Sequence, residues 1–126
     1  IDTSWSMDPE TLDEIAAELR VMTQTYDVAV VEFDAVIQRR YRLGPSHMVD
    51  RGEDPLSAMQ GRGGTNFCPV FEPDTLAWAA DGGELSGIVV FTDGYGPAPD
   101  APPREPVIWI LAGADVEPPA SWGSVV

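Results

Sequence analysis

Gly87-Ile88-Val89-Val90-Phe91-Thr92-Asp93-Gly94 is the stretch on which the fold turns. Apolar side chains fill consecutive positions from Ile88 to Phe91, so both faces of an extended segment here avoid water. Strands of that kind belong to mainly parallel sheets with helices on both faces. The run stops at Thr92-Asp93-Gly94, which puts a carboxylate just beyond the carboxyl end of the strand. In such sheets ligands settle in the crevice at the carboxyl ends of the strands.

The same grammar repeats on either side. Val107-Ile108-Trp109-Ile110-Leu111-Ala112 and Val28-Ala29-Val30-Val31-Glu32-Phe33 are further apolar runs of strand length. Asp34-Ala35 is short enough to return the chain directly into a second strand over residues 36–43, whose Gln38, Arg39, Arg40 and Arg42 suit an edge. A connection that short permits only an antiparallel hairpin, and Asp34 is accordingly assigned to a turn distal to the crevice. Asp8-Pro9 reads as an N-cap and first helical residue, and Leu12, Ile15, Ala16, Leu19 and Met22 share one face, which predicts a helix over residues 9–24. A second helix is expected over residues 69–80, weakened by Pro73 and ended by Asp81-Gly82-Gly83. Residues 44–64 read as irregular, with a short helix over 56–60 and Gly61-Arg62-Gly63-Gly64 leading into Thr65. The proline-rich residues 97–106 form a loop, and Trp122-Gly123-Ser124-Val125-Val126 reads as a short terminal strand. The fold class is therefore α/β, a mainly parallel sheet with one antiparallel edge strand and helices on both faces. Its core is expected to hold Ile15, Leu19, Val30, Phe33, Val89, Val90, Ile108 and Ile110.

Composition narrows the function. With 126 residues, 44% hydrophobic and 22% charged, the chain has the size and makeup of a single globular domain. No apolar run reaches the roughly 18 residues of a membrane span. The 21 acidic and 7 basic side chains give a formal charge of −14, which repels nucleic acid and anionic membranes. Cys68 is the only cysteine, so no internal disulfide forms and a reducing, cytoplasmic setting is expected. Cys68 and His47 stand alone in unrelated segments, which argues against zinc and leaves Cys68 as a small packing residue and His47 as a loop residue.

Three polar clusters carry the chemistry: Asp2-Thr3-Ser4-Trp5-Ser6, Gly63-Gly64-Thr65 and Thr92-Asp93-Gly94. Each is positioned to follow a strand, so all three can meet at one sheet edge. Asp2, Ser4 and Ser6 alternate, and an extended backbone would point all three the same way. Hydroxyl and carboxylate oxygens converging from separate loops suit a hard cation, and a small set of them suits Mg²⁺, which prefers six oxygens and keeps some waters.

At this point the residues resemble a known family. Asp2-Thr3-Ser4-Trp5-Ser6 is similar to the Asp-x-Ser-x-Ser element of the metal ion-dependent adhesion site of von Willebrand factor A (VWA) domains. Thr65 matches that site's threonine loop and Asp93 its third-loop aspartate. The likeness spans nearly the whole chain and is strongest to the bacterial VWA-like domain at the C-terminus of metallopeptidase-type proteins. Gly63-Gly64-Thr65-Asn66-Phe67-Cys68-Pro69-Val70-Phe71 and Phe91-Thr92-Asp93-Gly94-Tyr95-Gly96 look like that group's second and third loops, and the stretch from Trp122 to Val126 like its closing strand. The resemblance implies a Rossmann-like fold, a bound Mg²⁺ (or Mn²⁺ or Ca²⁺), and action through a protein partner offering a carboxylate, often alongside an AAA+ ATPase. It implies metal ligation by the hydroxyls of Ser4, Ser6 and Thr65, with Asp2 and Asp93 ligating directly or through water. It also makes the strand that delivers the first loop a central one. Only Ile1 precedes Asp2, so that strand is expected to begin upstream, and the domain to be the C-terminal part of a longer protein. Two positions depart from the pattern: Trp5 stands where glycine is common, and Asn66 where this group often has aspartate.

Two other readings compete. In the first, Asp2, Ser4 and Ser6 cap the following helix, Thr65 ends a glycine turn and Asp93 makes an Asx turn, with no metal at all. In the second, Asp2 is the nucleophile of a Mg²⁺-dependent phosphoryl transfer, with the metal held by Asp93. That chemistry generally calls for a phosphate-binding lysine and a further acid or base. The chain contains no lysine, Arg62 is the basic residue nearest the clusters, and no histidine neighbours a candidate serine.

Overall fold

A computed structural model describes residues 1–47, 54–59, 63–113 and 115–126. Helix α1 spans Pro9–Met22, and Asp8 is its N-cap: the Asp8 carboxylate accepts from the Thr11 backbone N–H at 2.8 Å. That backbone bond holds the Asp8 carboxyl below the usual carboxylate range. Leu12, Ile15, Ala16 and Leu19 form the buried face. Thr23 closes the helix, its N–H and hydroxyl both donating to the Leu19 carbonyl, two residues short of the predicted end.

Strands β1 (Val28–Phe33) and β2 (Ile37–Leu43) pair antiparallel, as the short connection requires. Val36 belongs to the turn rather than to β2, because its N–H is taken by the Asp34 carboxylate at 3.1 Å. The turn also introduces a register shift between Glu32 and Phe33. Strands β3 (Ile88–Thr92), β4 (Val107–Leu111) and β5 (Ser124–Val125) form a parallel set in the order β3-β4-β5. Residues 1–3 join the two sets. Thr3 N–H donates to the Phe33 carbonyl at 2.7 Å, Phe33 N–H to that of Ile1 at 3.0 Å, and Asp2 N–H to that of Phe91 at 2.9 Å. The first residues thus lie between β1 and β3, with Asp2 bridging Phe33 in parallel register.

The predicted second helix is two pieces. A 3₁₀ turn, Cys68–Phe71, precedes α2, Pro73–Ala80. Pro73 lacks an N–H and cannot sit inside a helix, so it becomes the first residue of a new one. The Thr75 hydroxyl ties the pieces by donating to the Pro69 carbonyl at 2.8 Å. Helix α2 ends at Asp81, whose φ of 49° is left-handed, as the Asp-Gly-Gly stop predicts. A further 3₁₀ turn, Pro55–Ala58, stands where a short helix was expected over residues 56–60, of which Gln60 lies outside the described residues.

The core divides between alternate side chains of the strands. Val30 and Phe91 pack with Ile1, Leu12, Ile15 and Leu19 in one cluster, while Phe33, Val90, Val107 and Trp109 pack with Phe67, Val70 and Phe71 in the other. Of the expected core, Val89 and Ile108 are instead more than a third exposed. They are register partners on neighbouring strands, so they lie side by side. The buried α1 side chains reach Phe91 and the partly buried Ile110, two residues further along each strand, and leave Val89 and Ile108 uncovered. The result is a mixed α/β domain. No helix of the described residues is long and apolar enough to cross a membrane.

Candidate metal-binding site

The first loop leaves the sheet at Asp2, which is fully buried. Its Oδ1 accepts from the Ser4 N–H at 2.9 Å and its Oδ2 from the Thr92 hydroxyl at 2.6 Å. An ionised carboxylate has about four acceptor positions, so roughly two remain for another group.

Beyond Asp2 the backbone does not stay extended. The Met7 N–H donates to the Ser4 carbonyl at 3.0 Å, closing a turn over residues 4–7. Ser4 is buried and Ser6 exposed. Their hydroxyl oxygens nevertheless meet at 3.2 Å. The two serines converge through a turn rather than through the strand alternation expected from their spacing. None of the three caps α1, because Asp8 does, so the capping part of the purely structural reading does not hold.

Two contacts lock the second loop to its neighbours. Trp5 N–H donates to the Gly63 carbonyl at 3.0 Å, two residues before Thr65. On the other side Gly96, at a φ of 148°, lies so close to Thr65 that a Cβ built on it would stand 2.8 Å from the Thr65 carbonyl oxygen and 3.0 Å from the Phe67 ring. Phe67 anchors the exit of this loop. Its ring meets Phe33 edge-on at 5.3 Å and Trp109 at 5.7 Å, and its N–H donates to the Pro97 carbonyl at 2.8 Å. Asn66, which stands where aspartate was expected, faces inward on its own loop: its side-chain oxygen accepts from the Cys68 N–H at 3.0 Å.

The third loop begins at Thr92, a residue that the motif reading passed over. Its buried hydroxyl donates to Asp2 and accepts from the Gly94 N–H at 3.0 Å, so one side chain shapes both the first and third loops. Asp93 is itself buried, and its Oδ1 faces the Tyr95 N–H at 3.5 Å, a long Asx-type contact.

Asp34 corrects the sequence reading. It is not distal. It follows β1 at the carboxyl end, where Phe33 pairs with residues 1–3, and its carbonyl accepts from the Asn66 N–H at 2.9 Å. Its carboxylate lies 3.4 Å from the position of a Cβ on Gly63. Burial raises the Asp34 carboxyl, but bonds from Gln38, Val36 and Ala35 together hold it below the usual range. The signal that could have found it was present: Asp34 follows an apolar strand as Asp93 does.

The donor chemistry of these residues fits a small hard cation. All the candidate ligands are oxygen, although among the described residues no group of three or more His, Cys, Asp or Glu side chains is placed to hold a metal ion. The Ser4 and Ser6 hydroxyls, 3.2 Å apart, are within hydrogen-bond reach of each other, and both would be available to a cation's oxygen shell. Trp5 and Tyr95, at 79% and 69% exposure, stand as bare aromatic side chains on the first and third loops.

Polar loops gathered at the carboxyl ends of strands in a mixed α/β domain define the class of protein. Within that class, the chain belongs to the VWA-like domain family (DUF2201), which matches over residues 1–126. No curated protein and no solved structure matches the chain.

Proposed function

We propose that this domain is a non-catalytic protein-binding module that works through a divalent cation, in the manner of a metal ion-dependent adhesion site. Ser4, Ser6 and Thr65 supply hydroxyls, and Asp2 and Asp93 supply carboxylates, directly or through water. Mg²⁺ is the cation best suited to the oxygen set, with Mn²⁺ or Ca²⁺ as substitutes. Hydroxyls add no charge, so two carboxylates only balance a divalent ion, and an open coordination position attracts an acidic group of a partner. A domain of formal charge −14 can recruit a carboxylate in this way. The reading extends to a Rossmann-like arrangement, a cytoplasmic setting and a partner from an AAA+ ATPase system, none of which involves nucleic acid or membrane.

The observation that carries this reading is the tying of three sequence-distant loops around Asp2, through Thr92 on one side and the Trp5–Gly63 bond on the other. Caps and turns alone do not require that arrangement. Phosphoryl transfer with Asp2 as nucleophile is less well supported, because the chain contains no lysine to bind a phosphate. Titration calorimetry with MgCl₂ and MnCl₂, repeated on Ser4→Ala and Asp93→Ala, tests the proposal. Saturable binding in the parent and its loss in both variants is the expected result, and no heat in the parent rejects it.

A further inference from the structure

Strand β2 pairs on one side only. Val31 and Phe33 of β1 bond to residues 1–3, so by alternation Val30 and Glu32 turn their backbone groups toward β2, where they face Tyr41 and Arg39. Arg40 and Arg42 then turn their own backbone N–H and C=O groups to the outer edge. Among the described residues no other element bonds to them there. The side chains along this edge are basic: Arg39, Arg40 and Arg42 belong to the 7 basic residues of a chain whose formal charge is −14. Arg39 and Arg42 are already engaged. Arg39 donates to the Pro55 carbonyl at 2.9 Å and stands 3.6 Å from Glu32, while Arg42 donates to the Trp78 carbonyl at 2.7 Å with Asp81 at 3.7 Å. Arg40 is exposed and joins no ion pair among the described residues. Its guanidinium lies 4.9 Å from the centre of the Trp78 ring, which also carries that of Arg42 at 4.4 Å.

We propose that the outer edge of β2 takes up an extended acidic segment of a partner protein as an added strand, with one of its carboxylates on Arg40. The outward N–H and C=O groups of Arg40 and Arg42 supply the backbone bonds of such a pairing. Charge decides which strand comes. A second copy of the same edge would set arginines against arginines, and like charges across a strand pair are destabilising. The same arginines favour a strand that carries Glu or Asp. Alternation places every second side chain of the added strand on the Trp78 face, beside Arg40 and Arg42, and the others on the face of Arg39 and Tyr41. The occupant is therefore acidic at alternate positions. The Trp78 ring already holds the Arg40 guanidinium, so little side-chain freedom is lost when a carboxylate arrives. This contact needs no cation and stands apart from the proposed metal site.

The test titrates the whole isotope-labelled chain with two end-blocked peptides, Thr-Glu-Val-Glu-Val-Glu-Thr and Thr-Lys-Val-Lys-Val-Lys-Thr. EDTA is present throughout, so that no cation at the Asp2 loops can hold the probe. Saturable binding of the acidic peptide is expected, with hydrogen exchange slowed about fivefold or more at the Arg40 and Arg42 amides. The Tyr41 amide, which already faces β1, should be unchanged. Arg40→Glu should weaken the binding by about tenfold or more, with the Trp109 amide on β4 reporting that the variant is folded. Acidic peptide that binds while the Arg40 and Arg42 amides exchange as before would mean charge attraction without strand pairing. Equal binding of the two peptides would mean that charge selects nothing, and an acidic-peptide dissociation constant weaker than about 1 mM would leave the arginines as guards of the edge. Each of these three results overturns the proposal.

Discussion

The hydroxyl of Thr92 donates to the carboxylate of Asp2 at 2.6 Å, joining side chains 90 positions apart in the chain at a point where both are fully buried. The first and third loops are thereby built on one hydrogen bond. Thr92→Val keeps the shape but leaves the Asp2 Oδ2 and the Gly94 N–H without their partner. Urea unfolding should show a loss of about 1–3 kcal/mol, the usual cost of stranding a buried polar group. An unchanged midpoint would mean that water reaches Asp2 and that the bond does not organise the loops.

Metal linkage provides a second test. If Mg²⁺ binds only the folded chain, it should add about 2.7 kcal/mol of stability at a free concentration about a hundred times its dissociation constant. Melts with MgCl₂ and with EDTA measure the increment. Asp2→Ala and Asp93→Ala should each abolish most of it, while Asp13→Ala, on the exposed side of α1, should leave it intact. Asp34→Ala is no neutral control, because Asp34 lies against the second loop. It should reduce the increment without abolishing it.

Gly96 tests the close approach of the second and third loops. Gly96→Ala places a methyl group 2.8 Å from the Thr65 carbonyl oxygen, whereas Gly82→Ala, also at positive φ, meets no atom within 4 Å. The left-handed conformation costs each variant about 1–2 kcal/mol. Chemical denaturation should show Gly96→Ala to be the less stable of the two, and only Gly96→Ala should weaken cation binding. Equal losses would mean that the loops separate freely.

Buried Glu32 and half-buried Tyr41 form a pair on the hairpin. The Tyr41 hydroxyl donates to Glu32 Oε2 at 2.6 Å, and Arg39 stands 3.6 Å from the other carboxylate oxygen. Burial, and then the bond and charge of Glu32, raise the Tyr41 phenol far above its ordinary range. The folded chain thus holds the phenolic proton more tightly than the unfolded chain. This contribution is complete below the ordinary tyrosine value of about 10 and is lost as pH rises above it. Tyr41→Phe should cost about 1–3 kcal/mol at neutral pH, and the gap to the parent should narrow above pH ~10. A gap that stays constant through that range would show that the phenol ionises equally in both states.

Local chemistry wrote much of this architecture into the chain. Asp8-Pro9 starts α1 because a carboxylate and a missing N–H satisfy a helix terminus whatever surrounds it. Asp81-Gly82-Gly83 ends α2 for the same kind of reason, and the runs Val28–Phe33 and Ile88–Thr92 are strands because most of their side chains are apolar and bury in a sheet. Sequence patterning marks which side chains avoid water, and turn chemistry marks where the chain reverses. Both act over a few residues and need no tertiary partner.

What only the tertiary structure decided depends on residues far apart. Val89 and Ile108 look like core in sequence but are exposed, because the buried side chains of α1 do not extend over them. Ser4 and Ser6 meet across a turn that no alternation rule describes. Asp34 reads as a turn residue until β1 is placed beside residues 1–3, and Thr92 reads as a strand end until Asp2 arrives from the other end of the chain. Hydrophobicity selects elements one segment at a time, whereas a site is a set of distances between segments, and those distances exist only once the sheet has brought its strand ends together.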